Sequence, residues 1–315
     1  MGTTILNSLA PVFFVLLLGY FAGLRKMVDN KNVHSINIML MNFALPCALF
    51  LAIARTSSKV LAQQYRLVLA LALAMILIYA LTWVLQRRLF HLEPGEAAVQ
   101  SLTVSFSNNV AVGLPLLISM YGPEGTVAVA AGIGVGALVI SPITLVILES
   151  GTEKAKHMTA RTRLLYAVLQ SCKRPIVWAP VAGMIYSLLA FPFPDIAARM
   201  LNLIGQCTAG VALFLTGLIL SAQPFRLEMN AITGVILKNI VQVALMFAFV
   251  RLLGVPAPAA RQGVLLAAVP CGFFGTVFGA RYGVASIEAS STLIASTVFS
   301  VVTLSVVIYL TAGML

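Results

Sequence analysis

The sequence predicts an all-α integral membrane fold: ten transmembrane helices in two inverted five-helix repeats, with helices 4 and 9 interrupted. Three observations lead there. Of 315 residues, 60% are hydrophobic and 9% charged, with a mean hydropathy of +1.01. A soluble domain carries about a quarter charged residues, so lipid is the solvent for most of this chain. Ten apolar stretches reach the roughly 20 residues that a helix needs to cross hydrocarbon. Short peptides also recur in the same order in both halves of the chain.

The ten stretches cover about 5–24, 35–54, 67–86, 97–121, 125–148, 175–192, 200–222, 229–250, 262–280 and 289–314, here spans 1 to 10. Nine contain no Lys, Arg, Asp or Glu, and span 8 contains only Lys238. No basic leader or small-residue cleavage site precedes span 1, which is therefore expected to be a true span. Basic residues between the spans set the orientation. With the N-terminus outside, thirteen fall in inner loops (Arg25, Lys26, Lys31, Arg87, Arg88, Lys154, Lys156, Arg161, Arg163, Lys173, Arg174, Arg226, Arg281). Six fall outside (Arg55, Lys59, Arg66, Arg199, Arg251, Arg261), the cluster after span 2 being a local exception. Both termini are thus expected on the non-cytoplasmic side of an inner (plasma) membrane. The net charge of +11 has the same origin, and no nucleic-acid partner is implied.

The most charged connection, 149–174, separates the two halves as a cytoplasmic linker. Residues 158–174 within it read equally as an amphipathic surface helix or as an extension of span 6. Because five is odd, two five-span halves would have opposite topology. Spans 1 and 6 share Ala-Pro-Val (Ala10–Val12, Ala179–Val181), and spans 2 and 7 share Ala-Leu-Phe (Ala48–Phe50, Ala212–Phe214). Spans 4 and 9 end in SMYG (Ser119–Gly122) and ARYG (Ala280–Gly283), and spans 5 and 10 share Thr144-Leu145 and Thr303-Leu304. Inverted repeats with Gly/Pro-interrupted spans at matching positions mark secondary transporters, whose sites lie between discontinuous helices.

Spans 4 and 9 are that interrupted pair. SNNVAVGLPLL (Ser107–Leu117) places Asn108, Asn109, Gly113 and Pro115 in succession, and VPCGFFGTVFG (Val269–Gly279) places Pro270, Gly272, Gly275 and Thr276. Pro115 and Pro270 are expected to open their helices, and Gly113 and Gly275 to let backbones approach. Opened helices present N–H groups to anions and carbonyls to cations without a full charge in lipid. Asn108 and Asn109 can donate to a carboxylate, or can simply join helices. Asn42 in span 2 either faces this site or packs among its neighbours. Ser105, Ser107 and Lys238 are secondary candidates. Lys238 invites a functional reading, but its place near the inner end favours snorkelling to the interface.

Cys47, Cys172, Cys207 and Cys271 have no CxxC spacing, and His34, His91 and His157 sit in loops or at span ends. No metal, cofactor or catalytic group is expected. GIGVG (Gly132–Gly136) lies mid-span without a preceding strand, so it reads as close helix packing and not as a dinucleotide loop. An intramembrane enzyme would need an activated nucleophile or a metal, and a channel a ring of charge or a filter motif; neither pattern is present.

NFALPCALF (Asn42–Phe50), SNNVAVGLPLL and AAVPCGFFGTVFGARYGV (Ala267–Val284) resemble the auxin efflux carrier family, in its bacterial, malonate-transporter-like branch. The resemblance spans nearly the whole chain. It implies a fold similar to bile-acid sodium symporters and sodium/proton antiporters, in which helices 4 and 9 are broken and cross. A scaffold of 1–54 and 175–222 (spans 1, 2, 6, 7) would carry a mobile transport domain of 65–148 and 229–315 (spans 3–5, 8–10). It also implies an elevator mechanism, small organic anions such as carboxylates as substrates, and a homodimer through the scaffold. The acidic residue that sodium-coupled bile-acid carriers place near the second crossing is missing from CGFFGTVFG (Cys271–Gly279). Coupling to H+ or Na+ therefore stays open. The alternative is a sodium-coupled symporter of larger amphipathic acids of the bile-acid type.

Overall fold

The computed structural model describes residues 2–312, except 29, 151–158, 160, 163, 164, 167, 168, 170, 171, 190 and 285. Eight of the seventeen residues of the linker segment 158–174 lie outside the described residues. The described residues are all-helical, with one isolated bridge in place of any strand. Seven described helices are long and apolar enough to cross a membrane: Leu6–Leu24, Val33–Ala54, Tyr65–Arg88, Asn109–Ser150, Asp195–Ser221, Met229–Leu252 and Ile287–Thr311. The chain is an integral membrane protein.

Three helices widen into a π-helical turn two residues before a proline: Leu40–Ala44 before Pro46, Asn109–Gly113 before Pro115, and Gly136–Ile140 before Pro142. A helical proline lacks an N–H and presses on the carbonyl four residues back. Those carbonyls belong to Asn42, Ala111 and Leu138, each inside its π turn. The wider turn moves the carbonyl off the ring, and the helix continues. Pro115 therefore does not open its helix, contrary to the sequence expectation. A fourth π turn, Leu237–Val241, contains no proline; it carries Lys238 and Asn239.

The chain forms two compact units. The first comprises Met1–Val68, Asn109–Ile133 and Cys172–Ala222. In it the helix Gly2–Leu24 lies along Cys207–Ser221, with Gly19 against the Phe214 backbone and Gly217 against those of Leu16 and Tyr20. A Cβ at Gly19 would come 2.0 Å from the Phe214 carbonyl oxygen, so only glycine admits this approach. Leu45–Ala54 packs on Pro175–Leu188 at Gly183, which abuts the carbonyl of Phe50.

The second unit comprises Leu69–Asn108, Gly134–Ser171 and Gln223–Leu315. Its helix Pro94–Ser105 packs on Phe274–Arg281, and Met229–Ile236 packs on Ile287–Ala312. Two helical segments are interrupted, at Phe106–Asn108 and at Val269–Phe273. The matched YG pairs also have a structural meaning: Gly122 and Gly283 both take positive φ, +66° and +69°, at the turn ending each segment.

Candidate binding site at the paired helix interruptions

The helix Pro94–Ser105 starts with a proline in its first turn and a capping box between Glu93 and Glu96. It ends where three alternate residues turn their hydroxyls back on the helix. Ser101 Oγ donates to the Ala97 carbonyl (2.7 Å), Thr103 Oγ1 to Val99 (2.9 Å) and Ser105 Oγ to Ser101 (2.7 Å). Such back-bonding competes with the helical ladder and bends it. Phe106 then adopts extended backbone, φ −98° and ψ 103°. At the other interruption, the helix Ala257–Ala268 stops at Val269 (φ −60°, ψ 142°), as expected for a residue preceding proline.

The two interruptions pair with each other. Asn108 N–H donates to the Pro270 carbonyl at 2.9 Å, and Gly272 N–H donates to the Phe106 carbonyl at 2.8 Å. Ser107 and Cys271 thus face one another in an antiparallel bridge. Two glycines make the approach feasible. A Cβ at Gly272 would lie 2.4 Å from the Phe106 carbonyl oxygen, and one at Gly275 would lie 2.0 Å from Thr103 Oγ1. Gly136 leaves room for the Phe106 ring, which stacks on Phe274 at 5.1 Å between centroids.

The π turn at Leu237–Val241 supports both interruptions with adjacent residues. Lys238, 0% exposed, donates from Nζ to Ser107 Oγ and, at 2.9 Å, to Gln242 Oε1. Gln242 Nε2 in turn donates to the Ser105 carbonyl at 3.0 Å, left without its helical partner by the interruption. Asn239 Oδ1 accepts from Ser296 Oγ at 2.7 Å, and Ser296 Oγ accepts from the Cys271 N–H at 3.1 Å. Asn239 Nδ2 donates to the Ser296 carbonyl and to Thr303 Oγ1, both at 3.4 Å. Burial of Lys238 overturns the snorkelling expectation: its Nζ is held by side chains inside the protein.

Of the sequence candidates, the second unit brings together Ser105, Ser107, Asn108, Pro270, Gly272, Gly275 and Lys238. Thr276 is close by, its hydroxyl donating to the Phe273 carbonyl at 2.8 Å. Asn42, Asn109, Gly113 and Pro115 belong to the first unit. There Asn42 is exposed, while Asn109 is buried with no hydrogen-bond partner for Oδ1 among the described residues. Sequence reasoning passed over Gln242, Asn239 and Ser296. A polar cluster KNIVQ inside an apolar helix was the available clue to the first two. Among the described residues no group of His, Cys, Asp and Glu could hold a metal ion.

A family model described as "Membrane transport protein" matches residues 4–308. The chain belongs to this family. Relatives include the "Uncharacterized transporter YfdV" of Escherichia coli K12, 29% identical with 98% of both chains covered. The "Putative malonate transporter" of Rhizobium meliloti is 25% identical, covering 95% of this chain and 93% of the relative. The "Probable auxin efflux carrier component 5c" of Oryza sativa is 22% identical, covering 94% of each. The protein is a membrane transporter, not an enzyme.

Proposed function

We propose that this transporter is a secondary carrier of small organic anions, carboxylates such as malonate, working by elevator-like alternating access in a bacterial inner membrane. The antiparallel pairing of the two helix interruptions carries the reading. It brings backbone dipoles and polar side chains together at a buried point, and among the described residues no Asp or Glu is bonded there to repel an anion. On this reading the chain has ten spans as two inverted repeats, with both termini outside. The helices of spans 3–5 and 8–10 move against spans 1, 2, 6 and 7, through which a homodimer forms. The pairing of span 1 with span 7 and of span 2 with span 6, together with the two positive-φ glycines, supports the repeat. Within the second unit Asn108 would supply a side-chain donor, with Pro270, Gly272, Gly275 and Thr276 shaping the backbone around the substrate.

Proteoliposomes holding the purified protein should take up radiolabelled malonate saturably and show counterflow. Changing Asn108 to Leu should abolish uptake while leaving a monodisperse protein. Wild-type uptake by that folded variant would remove Asn108 from the site.

A further inference from the structure

Lys238 is the residue that the neutral site just described does not use. It is fully buried, and among the described residues no Asp or Glu is bonded to it. The ion pair Arg55–Asp195 lies on exposed side chains of the first unit. A buried ammonium normally has a charge partner, because isolating it from water and from anions is strongly unfavourable. Lys238 has instead two neutral acceptors, Ser107 Oγ and Gln242 Oε1, for three N–H donors. Ser107 is the residue of the first interruption that faces Cys271, so the ammonium is anchored at the pairing itself. Its neighbour Asn239 holds the second interruption through Ser296. The π turn that aims both side chains has no proline to explain it, and such turns concentrate at functional sites.

We propose that Lys238 is the charge partner of the transported anion: the carboxylate completes the coordination of the ammonium beside Ser107. The proposal rests on the carrier reading above and adds a specific consequence. A protein that supplies its own fixed cation needs no inorganic cation to hold the substrate, so binding does not depend on sodium. Lys238 also favours anions over neutral isosteres of the same shape.

The test is a thermal-shift titration of the purified, detergent-solubilised full chain with malonate, in sodium and in choline buffers. Wild type should bind with the same affinity, within threefold, in both. Lys238→Met, which keeps the length and removes the charge, should bind at least thirtyfold more weakly. Ser107→Asp gives the ammonium an internal carboxylate; it should stay folded, melt no lower than wild type and also lose malonate. Malonate bound within threefold of wild type by either folded variant would overturn the proposal, as would a sodium requirement of tenfold or more in wild type. The sodium arm needs no variant and decides even where both substitutions impair folding. Wild type that binds neither malonate nor acetate in either buffer would sink the carboxylate reading itself, a distinguishable result.

Discussion

The two helix interruptions meet at one bridge but are built differently. At Val269–Phe273 the backbone is turned by local chemistry: proline ends the helix before it, and Gly272 lets the partner carbonyl within reach. Its remaining polar need is met by neutral groups, Ser296 and through it Asn239. At Phe106–Asn108 neither glycine nor proline is present. That interruption follows three back-bonding hydroxyls and is held from outside by Lys238 and Gln242. One interruption is covalently prepared; the other depends on its partners. The lesson is that prolines in a membrane helix need not mark where it opens, because a π turn can absorb them.

The largest effect should come from the shared contact. Gly275→Leu pushes a side chain into Thr103 and the Val99 carbonyl, and overpacking of this kind should cost about 3 kcal/mol. Thermal unfolding in detergent checks it, and an unchanged melting temperature would mean that the two helices do not meet there. Next comes Asn239→Leu, which strips the neutral support. Leaving Ser296 without its acceptor should cost about 2 kcal/mol. Hydrogen exchange should then quicken at Cys271 more than at Asn108; equal acceleration would erase the distinction between the two supports. The smallest effect is expected for Pro115→Ala, less than about 1 kcal/mol, because the π turn already accommodates the ring. A large loss of stability or uptake would restore Pro115 as the hinge of its helix.

Much of this was legible in the residues. Composition was enough for a helical membrane protein, and the Gly/Pro pattern around Pro270 located the second interruption. The YG pairs were visible as a repeat, and their shared positive φ gives the reason for glycine at both. The first interruption was misplaced by about two helical turns, since Pro115 is conspicuous while Ser101, Thr103 and Ser105 look like ordinary helix residues. Whether a hydroxyl bonds back to its own helix or across to another is decided by packing, which no local pattern records. Lys238 was misjudged for a similar reason. Its distance along the helix suggested access to the interface, but the direction of its side chain depends on Ser107, 131 residues away in sequence.

The pairing of the two interruptions is the central claim, and the protein carries a native probe of it. Cys271 lies opposite Ser107 in the antiparallel bridge, a juxtaposition close enough for a disulfide. With Cys47, Cys172 and Cys207 changed to Ser, the Ser107→Cys variant should form a 107–271 disulfide under mild oxidation, identified by peptide mass spectrometry, whereas Thr276→Cys in the same background should leave Cys271 free. A folded Ser107→Cys protein whose two thiols stay reduced, or whose Cys271 pairs equally well with position 276, would contradict the account.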